Sequence, residues 1–327
     1  MIKFFRQSYP SQYAILALMA LALWLPSFVP GNAVTGMDSP VTPLFNLIDG
    51  WLGGSAIAQR IVAFVLLLAD ALLLNMILVD NQIVGKVGTM GAFVFILLMS
   101  LTRTQINFFP FALSIPFILL VMKEIFGVYL AQKPELDLFK AGVFTALATM
   151  CYFPSLIMVP WMIVALSVSK KGGLRLQLLP ITGFLFVYFL YFSHAFFKGT
   201  FLDVINRYGE WFTELSFTVH GFNLKSVILL SFIVISAILL YFGSGSAHFE
   251  KTIAVRTKMT ISIILALFSV VLLFMGGDVL FNGLIFITLS IVLAYEFSYL
   301  GNTGWADLFL AAFMLAILAN HYYFKLI

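Results

Sequence analysis

The chain has one cysteine in 327 residues, so an intrachain disulfide is impossible; Cys151 stands within an apolar run, and no thiol-based metal site can form. Charge is also scarce, with Asp, Glu, Lys and Arg at 10% against 62% apolar residues and a mean hydropathy of +1.07. Soluble domains carry about a quarter charged residues, so this composition excludes them and predicts a polytopic membrane protein. Walker loop, dinucleotide fingerprint, Gly-x-Ser-x-Gly elbow and His-Glu-x-x-His are all missing, which leaves ATPase, soluble dehydrogenase and common hydrolase or metalloprotease readings without support. Proline is missing from the C-terminal part, since all 11 prolines lie at or before Pro180.

The net charge of +4 and pI near 9.1 would suit nucleic acid in a soluble protein. Here the cations occupy short loops between apolar runs, so the positive-inside bias explains them and no nucleic-acid partner is expected. Apolar runs at 13–29, 61–79, 89–101, 108–122, 141–152, 154–169, 177–197, 226–243, 259–275, 279–295 and 305–322 predict an all-α integral membrane bundle of about eleven crossings. The start, Met1-Ile-Lys-Phe-Phe-Arg6 before the run 13–29, has the charge pattern of a signal segment. Trp24, Pro26 and the lack of a small-x-small cleavage site favour an uncleaved anchor with a cytoplasmic N-terminus.

The run 141–169 decides the topology, because Pro154 and Pro160 interrupt it and Lys140, Lys170 and Lys171 bracket it. Read as two short crossings meeting near Phe153 and Pro154, it places 12 of the 18 cations inside and 6 outside; read as one, it gives 10 and 8. Two crossings are therefore expected, with the turn outside. Pro110, Pro116, Pro154, Pro160 and Pro180 punctuate the helices up to about residue 198, and short broken pairs of this kind surround polar sites in membrane proteins. A single membrane domain follows, with a working module over 1–198, an outer amphipathic loop over 199–224 and supporting helices over 225–327.

Two outer loops carry interfacial helices. In 30–59, Leu44, Leu47, Ile48, Trp51 and Leu52 oppose Asn46 and Asp49; in 198–225, Phe201, Val204, Ile205, Tyr208, Trp211, Phe212 and Leu215 oppose Asp203, Asn206, Arg207, Glu210 and Glu214. Each could seal the outer surface or dock a substrate.

Few polar residues carry candidate chemistry. Asp70 lies mid-span with Asn75 after it, either as a proton or cation relay or as a neutral carboxyl locking two helices. Asp38, in the turn-like Gly36-Met37-Asp38-Ser39-Pro40, and Asp49 could act as general base, or Asp38 could hold a divalent cation against a phosphate. Arg103, flanked by Thr102, Thr104 and Gln105, suits a phosphate or carboxylate, with Arg207, Arg60 and Lys198 on the same side. Single cations of this kind also snorkel to lipid headgroups. His194, His220 and His321 lack metal-site spacing and read as structural or interfacial.

This layout, with its acidic first outer loop, interfacial helices, short paired helices and plainer C-terminal bundle, resembles that of the GT-C glycosyltransferases. The resemblance implies sugar transfer from a polyprenyl-phosphate carrier at the outer face of a bacterial inner membrane, with the first-loop carboxylate role on Asp38 and secondarily on Asp49. Ser39 stands where a second acid often follows. The segments Trp24-Leu-Pro-Ser-Phe28 and Tyr152-Phe-Pro-Ser-Leu156 are similar to those of a family of uncharacterised bacterial multi-pass membrane proteins, which implies no activity. Two alternatives stand beside the enzyme: a transporter or flippase with a midplane site at Asp70, and a non-catalytic membrane subunit of an envelope complex.

Overall fold

The structure, a computed structural model, describes residues 1–7, 9–28, 42–53, 55–85, 88–101, 109–129, 131–169, 173–214, 252–274, 283–299, 304–319 and 321–322. Their regular structure is all helical, with no strand among the described residues. The helices are α1 (Ile2–Arg6), α2 (Ser11–Trp24), α3 (Pro43–Trp51), α4 (Ala56–Asp80), α5 (Met90–Met99), α6 (Pro110–Val128), α7 (Glu135–Cys151), α8 (Met158–Val168), α9 (Leu174–Phe197), α10 (Phe201–Glu214), α11 (Ile253–Phe274), α12 (Gly283–Tyr299) and α13 (Gly304–Ala319). Four are long and apolar enough to cross a membrane: α4, α6, α9 and the Ile253–Leu272 part of α11. That is fewer than the eleven or so crossings expected from the apolar runs. Five more apolar stretches, including α2, α5 and α12, are helical but only 10–17 residues long, and the run 226–243 lies outside the described residues.

Local chemistry sets the boundaries. Ser55 caps α4, its side chain accepting from the Ala58 backbone N–H at 3.4 Å. Pro110 opens α6 at a position where its missing N–H costs nothing. The residue before a proline is driven out of the helical region, and here the backbone is already extended at Tyr152 (φ −145, ψ 102), one residue ahead of Phe153 and Pro154. A short 3-10 helix, Phe153–Ile157, follows, and α8 begins at Met158.

The chain reverses there. The Thr145 hydroxyl lies 3.6 Å from the Met162 sulfur, 17 residues on. On the next helix, Gly142 meets Pro180 and Phe184, Gly183 meets Phe139, and the Tyr188 hydroxyl donates to Thr149 at 3.0 Å. Both numbers rise together, so α7 and α9 are parallel, and α8, which follows α7 in sequence, runs back in the opposite direction. A Cβ on Gly142 would collide with the Pro180 carbonyl, and one on Gly183 with the Phe139 carbonyl. Two bare glycines thus let the backbones touch, a close approach typical of membrane helix pairs.

The bundle has two polar ends joined by an apolar core. At one end the Arg6 guanidinium donates to the Phe297 carbonyl at 2.9 and 2.5 Å, covering a carbonyl in the last turn of α12 that has no helical partner. Nearby, Thr89 N–H donates to the Phe5 carbonyl at 2.9 Å, the Thr89 hydroxyl to Gln12 at 2.9 Å, and Ile2 N–H to Asp307 at 2.7 Å. Gln12 in turn bonds the carbonyls of Phe4 and Gln7. At the opposite end the Trp24 indole donates to the Ser100 hydroxyl at 3.0 Å, while His321 Nε2 lies 2.6 Å from the Ser100 carbonyl. Gly283 at the start of α12 meets Phe111 at the start of α6, so α12 runs from the Trp24 end to the Arg6 end. Every α12 residue from Gly283 to Phe297 is buried, which puts this helix at the centre. Ile2 and Phe5 join the same core, Phe5 stacking on Phe93 with ring centroids 4.4 Å apart.

Candidate functional site

The helix break stands at the Trp24 end, where Tyr152 packs edge-on against Phe111 at 5.4 Å. Around it lies a small satellite core made by Ala146 and Met150 of α7 and Tyr188 of α9. Leu44 of α3 and Tyr208 of α10 both pack on that core. The two helices expected at the interface therefore converge on one place, although about 150 residues of chain separate them. Their period puts Leu44 on the apolar face of α3 and Tyr208 on that of α10, and those faces meet the bundle.

The aromatic packing is specific. Tyr208 lies 5.4 Å from Phe153 in the 3-10 helix, 6.2 Å from Tyr188 and 6.1 Å from Phe192, and Phe201 at the start of α10 meets Phe192 and Phe196 edge-on. Beneath this roof are hydroxyls. Thr149 and Tyr188 bond each other, and Ser155 is buried with no hydrogen-bond partner for its hydroxyl. Thr42, the residue before α3, is buried in the same condition. Burial pushes the Tyr208 phenol well up from its ordinary value, and neighbouring Tyr188 and Tyr191 push the same way.

The sequence-predicted residues are placed unequally. Asp49 of α3 is half-buried and accepts from the Gln59 side chain at 2.6 Å, which ties it to the first turn of α4. Arg207 is exposed on α10, and its charge reaches the Tyr191 phenol. Arg60 is buried at 6% exposure in the first turns of α4, and His194 is exposed at the end of α9. Asp38, Arg103, Gln105 and His220 lie outside the described residues. Among the described residues no three His, Cys, Asp or Glu side chains gather into a possible metal site, and Asp38, the one cation candidate, lies beyond them.

Asp70 and Asn75 share α4 but form no common site. They are five residues apart, about 7.5 Å along the axis and on different sides of the helix. Asn75 donates to the Gly88 carbonyl at 3.0 Å, while its own oxygen is buried without a donor. Asp70 is 1% exposed, and neither carboxyl oxygen has a hydrogen-bond partner. An ionised aspartate at mid-helix in a bilayer costs about 2.5 kcal/mol or more.

Sequence reasoning missed Thr42, Thr149, Ser155 and Tyr188. Single hydroxyls in apolar runs carry no motif; the one usable signal was the position of Thr149 and Ser155 on either side of the break. No family model, curated protein or solved structure matches the chain.

Proposed function

We propose that this chain is a multi-pass protein of the bacterial inner membrane that handles a polyprenyl-linked sugar or polyprenyl phosphate at its outer face, in the manner of a GT-C-like glycosyltransferase. On this reading the shorter apolar helices also cross, giving about eleven crossings, short ones tolerated where protein rather than lipid surrounds them. The N-terminus is cytoplasmic and the Trp24 end is the outer one. Parallel α7 and α9 support that sidedness, because the run 141–169 then makes two crossings and the cation bias holds. Residues 1–198 form the working module, the loop 199–224 carries the interfacial helix over it, and 225–327 support it.

One observation carries the proposal: α3 and α10, from distant parts of the chain, pack on the same aromatic and hydroxyl cluster above a broken helix pair. Interfacial helices lie at headgroup depth, where a lipid-linked phosphate or sugar is presented. Aromatic faces with hydroxyls suit a sugar, Arg207 on the exposed side of α10 suits a phosphate, and Asp38 is the assigned base or divalent-cation ligand.

The test uses the full-length protein in nanodiscs and a photoactivatable polyprenyl phosphate. Crosslinks should map to α3, α10 and the 152–157 segment, and Arg207→Ala should weaken capture. In a transfer assay, Asp38→Asn should abolish sugar transfer while leaving expression intact. Crosslinks spread evenly over the lipid-facing helices, or transfer unchanged in the Asp38 variant, would remove this reading.

A further inference from the structure

We infer that Asp70 is a reversible proton-binding site inside the helix bundle, separate from the cluster at the Trp24 end and independent of the proposed transfer activity. The inference rests on what surrounds the carboxyl. Asp70 is 14 residues from the start of α4 and 10 from its end, which places it about 21 Å and 15 Å from the two helix ends and near the middle of the apolar layer. It belongs to the buried stripe Ala63, Leu67, Asp70, Ala71, Leu74 and Leu78, so it faces protein and not lipid. Gly91 of α5 lies against Asn75 and Leu78, and the antiparallel register then sets Asp70 level with the last turn of α5, near Leu97.

Among the described residues, the elements packed most closely against α4 are α5, α6, α2 and the 3-10 turn Leu25–Phe28. Helix α5 and the turn contain no titratable residue, and the one on α2, Tyr13, is exposed. Helix α6 carries Lys123, which is exposed, and Glu124, whose charged neighbours are Asp137, Lys140 and Lys123. On α4 itself Arg60 and Asp80 are each ten residues away, beyond side-chain reach. No cation therefore faces Asp70 among the described residues, and no donor reaches either oxygen. A structural lock would show a hydrogen bond across the helix pair, as Trp24 shows with Ser100. Asp70 shows none, so its chemistry is that of a carboxyl exchanging with an incoming ligand. The smallest ligand such a packed site admits is the proton, taken from water onto a carboxylate oxygen and returned to it.

The experiment treats wild-type protein in nanodiscs with a hydrophobic carbodiimide, which adds to a protonated carboxyl, and locates the adduct by peptide mass spectrometry. Labelling at Asp70 should fall as the pH is raised and return when it is lowered again. Infrared spectra should show a carboxylic-acid carbonyl band that disappears in parallel and is missing from Asp70→Asn. Wild-type labelling needs no variant, so a misfolded Asp70→Asn protein leaves the test intact. No adduct at any pH, or labelling that does not respond to pH, overturns the inference. Protection by sodium at constant pH also overturns it, in favour of a metal cation. Because the readout is chemical modification at one residue, its failure is distinct from any failure of lipid crosslinking.

Discussion

Thr145 and Met162 touch, hydroxyl to sulfur at 3.6 Å, across 17 residues of chain that a continuous helix would stretch to about 26 Å. That contact makes 141–169 a reversal. Every helix after it therefore has the opposite direction from the one a single crossing would impose.

The reversal can be read chemically. In a Cys151→Ala background, cysteines replacing Lys140 in the second turn of α7 and Arg175 at the start of α9 should react with an impermeant maleimide from the same side of sealed vesicles. Labelling from opposite sides would mean that the run crosses once.

The glycine contact between α7 and α9 should be intolerant of a single methyl. Gly142→Ala and Gly183→Ala each drive a Cβ into a backbone carbonyl, which cannot swing aside as a side chain would. Each should lower stability by about 1–3 kcal/mol, seen as a lower thermal unfolding midpoint in detergent. Gly127→Ala on α6 meets open space and should leave the midpoint unchanged or raise it.

Ser100 joins α2, α5 and the segment after α13. Ser100→Ala removes the hydroxyl that accepts from the buried Trp24 indole N–H and should cost about 1–3 kcal/mol. Adding Trp24→Phe removes the donor as well, so the double variant should lose less than the sum of the two single changes. Strict additivity in the same unfolding assay would show that the hydrogen bond contributes nothing.

The docking of α10 should fail in alkali. Burial raises the Tyr208 phenol above its unfolded value near 10, so its contribution is fully present below that value and shrinks above it, where the undocked phenol ionises first. A spin label replacing exposed Asn206 should gain mobility as pH rises beyond about 10. The transition should vanish in Tyr208→Phe, and its persistence there would point to another group.

Much of this arrangement could be read beforehand, and for identifiable reasons. Pro154 and the cation bias announced the break, and a 3.6-residue period announced α3 and α10, because backbone restriction and amphipathicity are local properties. The lone carboxylate at Asp70 stood out for a similar reason: the rest of its run is apolar. What stayed hidden is partner choice. Gly142 and Gly183 form no spaced motif, and nothing in either run says that one faces the other. The bonds of Arg6 to Phe297 and His321 to Ser100 span 291 and 221 residues, across helices whose uniform apolarity leaves no face marked. Number of crossings was the least legible quantity, because a short apolar run reads alike whether lipid or protein encloses it.

The enclosure of α12 has one more consequence. At 17 residues it is about 26 Å long, less than the roughly 30 Å of hydrocarbon in a typical bilayer. A helix in contact with lipid would have to thin the membrane or draw its flanks inward, but α12 is buried among its neighbours from Gly283 to Phe297. In a bilayer, lipid thickness would act instead on helices such as α9, one of the four long and apolar enough to cross, whose 24 residues can tilt to suit membranes of different depth while the centre stays undeformed.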